Sequence, residues 1–89
     1  MIEKELMIVN KLGLHARAAA KLVSLTSGVE ADIEIARDGR KVNGKSIMGV
    51  MMLAASQGSK ITFYVDGADA DEAMQKIENL VADKFGEGE

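Results

Sequence analysis

Val29-Glu30-Ala31-Asp32-Ile33-Glu34-Ile35-Ala36-Arg37-Asp38-Gly39-Arg40-Lys41-Val42-Asn43 is the stretch on which the fold turns. Val29, Ala31, Ile33 and Ile35 alternate with Glu30, Asp32 and Glu34, the period of two that gives a strand one buried and one solvated face. Asp38-Gly39 follows, and glycine tolerates the positive φ that a tight hairpin turn requires. A short third strand, about Arg40 to Asn43, then returns directly beside the second. A direct hairpin makes the pair antiparallel, because parallel neighbours need a crossover of a dozen or more residues.

Upstream, Ile2, Leu6 and Ile8 alternate with Glu3, Glu5 and Met7, which predicts a first strand over residues 2 to 8. Asn10 to Gly13 breaks that pattern. Ala16 to Thr26 then combines three consecutive alanines with apolar Ala19, Leu22 and Val23, a helical spacing of good helix formers stopped by Gly28. Downstream, Ser46 is placed to cap a second helix from Ile47 to about Leu53. Ile61, Phe63 and Val65 alternate with Thr62 and Tyr64, a fourth strand closed by Asp66-Gly67. Asp69 with Glu72 resembles a capping box, and Met74, Ile77, Leu80 or Val81, and Lys84 or Phe85 continue a last helix over about 70 to 84. Gly86 to Glu89 reads as a frayed tail. The element order βαββαβα predicts a single α+β domain over residues 1–89, with a four-stranded antiparallel sheet and three helices stacked on one face.

With 89 residues and no cysteine, disulfides, thiolate chemistry and most zinc sites are removed at once. Glu3, Lys4 and Glu5 rule out an apolar signal segment at the start, and no run reaches the roughly 18 apolar residues of a membrane span. The expectation is a soluble cytoplasmic protein with no membrane insertion. The 14 acids avoid two stretches, Lys11 to Val29 and Gly39 to Val65, which hold Lys11, Arg17, Lys21, Arg40, Lys41, Lys45 and Lys60. Should these stretches meet, an acidic chain acquires a face free of negative charge, suited to an anionic group or an acidic partner. The alternative is a scatter of solvated lysines. Nucleic acid is not expected as a partner, because the chain is acidic and has only Phe63, Tyr64 and Phe85 as aromatics to stack on bases.

His15, the one histidine, stands immediately before the first helix, where several backbone N–H groups have no partner within the helix. Such a start favours an anion and disfavours imidazolium, which keeps the ring a neutral nucleophile. Arg17, within the first turn, offers a permanent charge and a planar fork of donors for phosphate oxygens. A lone histidine can equally be a filler or cap. A hydrolase or nuclease would need a second acid, base or metal ligand, and no carboxylate lies near His15 in sequence, although distant residues such as Asp66 could fold back. A carrier gains from lacking a general base, since activated water would discharge it.

Gly13-Leu14-His15-Ala16-Arg17, followed by Lys45-Ser46-Ile47-Met48-Gly49-Val50-Met51, resembles the HPr family, the histidine phosphocarriers of the bacterial phosphotransferase system. The resemblance extends over the whole chain. It implies an open-faced β-sandwich whose histidine accepts phosphoryl at Nδ1 from Enzyme I, itself charged by phosphoenolpyruvate, and passes it to a IIA-type protein. It also implies a carrier component rather than a stand-alone enzyme, with no cofactor or metal, and a monomer. Carried onto this sequence, His15 is the carrier, Arg17 the phosphate-stabilising residue, and the N–H groups of Ala16 and Arg17 the anion cradle. Ala20, Ile47, Met48, Met51 and Met52 fall in the partner-docking patch.

Three features need weighing within that resemblance. The family usually has proline after the arginine; Ala18 here keeps the helix but gives up a fixed φ. Ser46 has two coexisting readings, a helix N-cap and the serine that an HPr kinase/phosphorylase phosphorylates in some relatives, where added charge would repel acidic partners. Met48, Met51 and Met52 share one face of a short helix while Val50 and Leu53 point elsewhere, so one face must be exposed; the methionines are either core filling or an adaptable docking surface. Gly44 and Met51-Met52-Leu53-Ala54-Ala55-Ser56 look more like the nitrogen-related branch than the sugar-transport branch. A regulatory interaction module of the same fold is the alternative function, but relatives of that kind lack the histidine.

Overall fold

A computed structural model of the chain describes residues 1–87. Its elements follow the expected order: β1 (Ile2–Met7), α1 (Ala16–Thr26), β2 (Asp32–Arg37), β3 (Arg40–Asn43), α2 (Ile47–Met52), β4 (Lys60–Asp66) and α3 (Ala70–Ala82), then a short 3₁₀ turn over Lys84–Gly86. The four strands form one antiparallel sheet in the order β1-β4-β2-β3. Asp38 and Gly39 both have positive φ, 51° and 81°, as a two-residue hairpin of this twist requires.

Register places one apolar row under the helices. Ile33 stands opposite Val65 and Ile35 opposite Phe63, and all four are buried together with Ile61. Leu22, Val50, Ile77 and Phe85 close the core from the helical side. In β1 the same row reads Ile2, Lys4 and Leu6, opposite Val65, Phe63 and Ile61; at this sheet edge Lys4 pairs with Glu78 of α3. On the open face, Lys41 lies over the Tyr64 ring at 4.2 Å from its centroid.

Several boundaries differ from the sequence reading. β2 begins at Asp32 rather than Val29, because the N–H groups of Glu30 and Ala31 donate to the Asp69 carboxylate at 2.9 and 2.8 Å instead of to a strand. Asp69 is thereby withdrawn from the capping box: it precedes α3 but makes no side-chain cap. Those donors hold its carboxyl below the usual aspartate range, the Glu30 N–H foremost. α3 stops at Ala82. Lys84, Phe85 and Gly86 then take left-handed φ values of 55°, 55° and 76°, a turn that buries Phe85 completely. Gly86 and Glu87, assigned above to a frayed tail, are thus folded back onto the body; residues 88 and 89 lie outside the described residues.

Candidate functional site

The loop between β1 and α1 is fixed to the one before β4. Ile8 N–H donates to Ser59 O and accepts from Gly58 N–H through its own carbonyl, each at 2.8 Å, and Leu14 N–H donates to Ala55 O at 2.8 Å. Gly13, at φ 69°, is the only residue type that fits between these contacts: a Cβ there would stand 2.4 Å from the Ala55 carbonyl oxygen. Buried Leu14 anchors the next position, and His15 is delivered as the N-cap residue of α1, with extended φ/ψ of −74° and 178°.

His15 supplies its carbonyl to Ala19 N–H at 2.9 Å, but its side chain makes no cap. Ala16 and Arg17 are exposed, and among the described residues no acceptor engages their N–H groups. The start of α1 therefore presents free donors and the positive end of the helix dipole beside a ring whose side chain is 29% exposed. Arg17 and Lys21 border the same shallow concavity as His15 and Leu12. Lys21 Nζ donates to Phe85 O at 2.7 Å, so the C-terminal turn closes one side.

That turn brings in a carboxylate which the sequence did not place here. Glu87 Oε2 meets His15 Nε2, and Glu87 Oε1 accepts from Asn10 Nδ2 at 2.9 Å. Asn10 is fully buried, and the same amide nitrogen also donates to Gly13 O at 2.9 Å. The surroundings of His15 are therefore not free of acid, contrary to expectation. Asn10's amide above all, then His15, hold the Glu87 carboxyl below the usual glutamate range against the opposing effect of burial, with a further contribution from the Lys21 charge. The missed signal was Phe85, an apolar residue one position before Gly86, where a chain end that returns to the core needs an anchor.

The other nominated residues fall on α2 and the facing side of α1. Ser46 Oγ accepts from Gly49 N–H at 3.1 Å, the N-cap read from sequence. Val50 and Leu53 are buried, whereas Ile47, Met48, Met51 and Met52 are exposed, as is Ala20; the methionines are not core filling. Gly44 has a packing cause of its own, since a Cβ would sit 2.5 Å from Ile33 Cγ2.

Fold and site together present one imidazole ring at an uncapped helix start on an open-faced antiparallel sandwich. The family described as "PTS HPr component phosphorylation site" matches residues 2–83. The chain is 52% identical over 89 residues to the phosphocarrier protein HPr of Cupriavidus necator, covering all of both chains. It also superposes on the crystal structure of HPr-C-His from Thermoanaerobacter tengcongensis with a TM-score of 0.94 at 44% identity, covering 98% of each chain. An HPr dimer from that organism matches at TM-score 0.78 and 44% identity, over 98% of this chain and all of that one. The chain belongs to the HPr family of phosphotransferase-system phosphocarriers.

Proposed function

We propose that His15 accepts a phosphoryl group at Nδ1 from phosphoenolpyruvate-charged Enzyme I and surrenders it to a IIA-type protein. The observation that supports this best is the uncapped start of α1, where the free N–H groups of Ala16 and Arg17 flank the ring. Arg17, exposed and without a hydrogen-bond partner among the described residues, supplies the charge that stabilises the bound phosphate. Ala20, Ile47, Met48, Met51 and Met52 form the docking surface, where flexible thioethers fit more than one partner. The acceptor belongs to the sugar-transport branch or to its nitrogen-related counterpart; Gly44 does not decide between them, because packing alone accounts for it.

Ser46 is proposed as a regulatory site for an HPr kinase/phosphorylase, on the ground that its half-buried hydroxyl stands beside exposed Ile47 and Met48. A phosphate there would add negative charge to the docking surface. Mass spectrometry of protein from cells grown under varied carbon and nitrogen supply tests this, and a serine without phosphate under every condition removes it. The working unit is proposed to be a cytoplasmic monomer; among the described residues no helix is long and apolar enough to cross a membrane.

The test is transfer itself. The chain charged by Enzyme I and phosphoenolpyruvate should pass phosphoryl to one of two IIA-type acceptors, one from each branch, and Arg17→Ala should slow the uptake with the fold intact. Failure to discharge to either acceptor defeats the transfer reading, and unchanged uptake in Arg17→Ala removes Arg17 from it.

A further inference from the structure

Glu87 reaches His15 from 72 residues away along the chain, and it is held there by unfavourable local choices. Lys84 and Phe85 both adopt left-handed backbone, which side-chain-bearing residues seldom take. Phe85 burial and the Lys21 bond to its carbonyl offset that strain. Asn10 commits its amide nitrogen to Gly13 O and Glu87 Oε1, and its Oδ1 is left buried without a partner among the described residues. Burying an unsatisfied acceptor costs stability. What the arrangement secures is the placement of one carboxylate against one ring nitrogen.

An ionised carboxylate can only accept hydrogen bonds. Its partner Nε2 must therefore carry the ring proton, and in the neutral ring the lone pair is left on Nδ1, which takes part in no hydrogen bond among the described residues. Resting on the phosphocarrier reading above, we propose that Glu87, clamped by Asn10, is a positioning residue that fixes the His15 proton on Nε2 and offsets the positive charge the ring gains in phosphoryl transfer. The Nδ1 lone pair forms the N–P bond. The bond from phosphorus to the phosphorylated donor protein breaks, and its electron pair leaves with the donor. The ring, still bearing hydrogen on Nε2, now carries a positive charge opposite the Glu87 anion. On discharge an acceptor nucleophile forms its bond to phosphorus, the N–P pair returns to Nδ1 and the ring becomes neutral again, so that the ring neither gains nor loses a proton in either direction. Arg17 and Lys21 of α1 are the cations bordering the same concavity. Lys21 is bound to the Phe85 carbonyl and Arg17 is left for the phosphate oxygens, so that among the described residues Glu87 is the counter-charge that meets the ring.

Nitrogen-15 spectra of the imidazole separate this role from a structural one and need no donor protein. In the wild-type chain the neutral ring should be in the Nε2–H form with a hydrogen-bonded proton on Nε2. In Glu87→Ala that bonded proton should disappear and an Nδ1–H population should emerge, while uptake from Enzyme I falls about 10-fold, the lower end of what loss of the outer partner of a metal-bound histidine causes. Glu87→Gln, which keeps the shape without the charge, should also be slowed. An Nδ1–H ring in the wild type, an unchanged ring spectrum in Glu87→Ala, or uptake in that variant within about twofold of wild type on the same scale overturns the proposal. If the wild-type chain takes up no phosphoryl at all, the phosphocarrier reading fails instead, and the ring spectra still report on Glu87.

Discussion

The starts of α1 and α2 have the same backbone need and answer it in opposite ways. At α2 the requirement is met in part and locally, because Ser46 turns its hydroxyl onto Gly49 N–H three residues on. At α1 the cap position is occupied by His15, whose ring caps none of the orphan donors and meets Glu87 instead. A side-chain cap of this kind is a structural feature, whereas a start without one is available to a ligand anion. The contrast also teaches where each depends on the rest of the molecule: α2 on a turn of sequence, α1 on Asn10, Gly13 and the Lys84–Glu87 turn.

Breaking the distant support should therefore injure the His15 site and leave α2 alone. Phe85→Ala removes a fully buried aromatic and should cost about 3–5 kcal/mol in chemical denaturation, with loss of the Glu87 contact to the ring. Gly13→Ala places a Cβ against the Ala55 carbonyl at a left-handed φ and should cost at least about 2 kcal/mol, with the His15 resonances shifted. A Gly13→Ala chain as stable as wild type would show that this loop is softer than the contacts imply. Ser46→Ala should cost about 1 kcal/mol and leave phosphoryl uptake by His15 unaltered; a variant that melts as wild type would deny the cap its role.

The smallest effect lies in the acid limb of stability. Glu87 and Asp69 have folded-state carboxyls depressed by donated hydrogen bonds, so the native state favours their ionised forms. Their stabilisation is complete above the usual carboxylate range and is lost as pH falls through the depressed folded values. Glu87→Gln and Asp69→Asn should each flatten the loss of stability on acidification. An acid limb as steep as wild type in both would contradict these bonds.

What could be read from the sequence follows how local each cause is. The α1 limits, the Asp38-Gly39 hairpin, β3 and the Ser46 cap came from residues a few positions apart; helical spacing set Met48, Met51 and Met52 on a different face from Val50 and Leu53 but left open which face is exposed, and the structure exposes the methionines. His15 and Arg17 stood out through a motif and its helix-start setting. Asp69 misled because a carboxylate ahead of a helix is usually consumed by that helix, whereas here two N–H groups from the segment before β2 compete for it and win. The Asn10–Glu87–His15 contact was not legible, since no periodicity reports a meeting between residues 72 positions apart. Only the apolar Phe85 beyond the end of α3 hinted that the chain returns.

Phosphorus-31 spectra recorded while Enzyme I and phosphoenolpyruvate act on the chain show whether the ring of His15 holds the phosphoryl group. A single phosphohistidine resonance is expected, stable in alkali, lost in acid and absent from His15→Ala. Phosphoryl uptake by His15→Ala, or no uptake by the wild-type chain from either the sugar or the nitrogen form of Enzyme I, would contradict it.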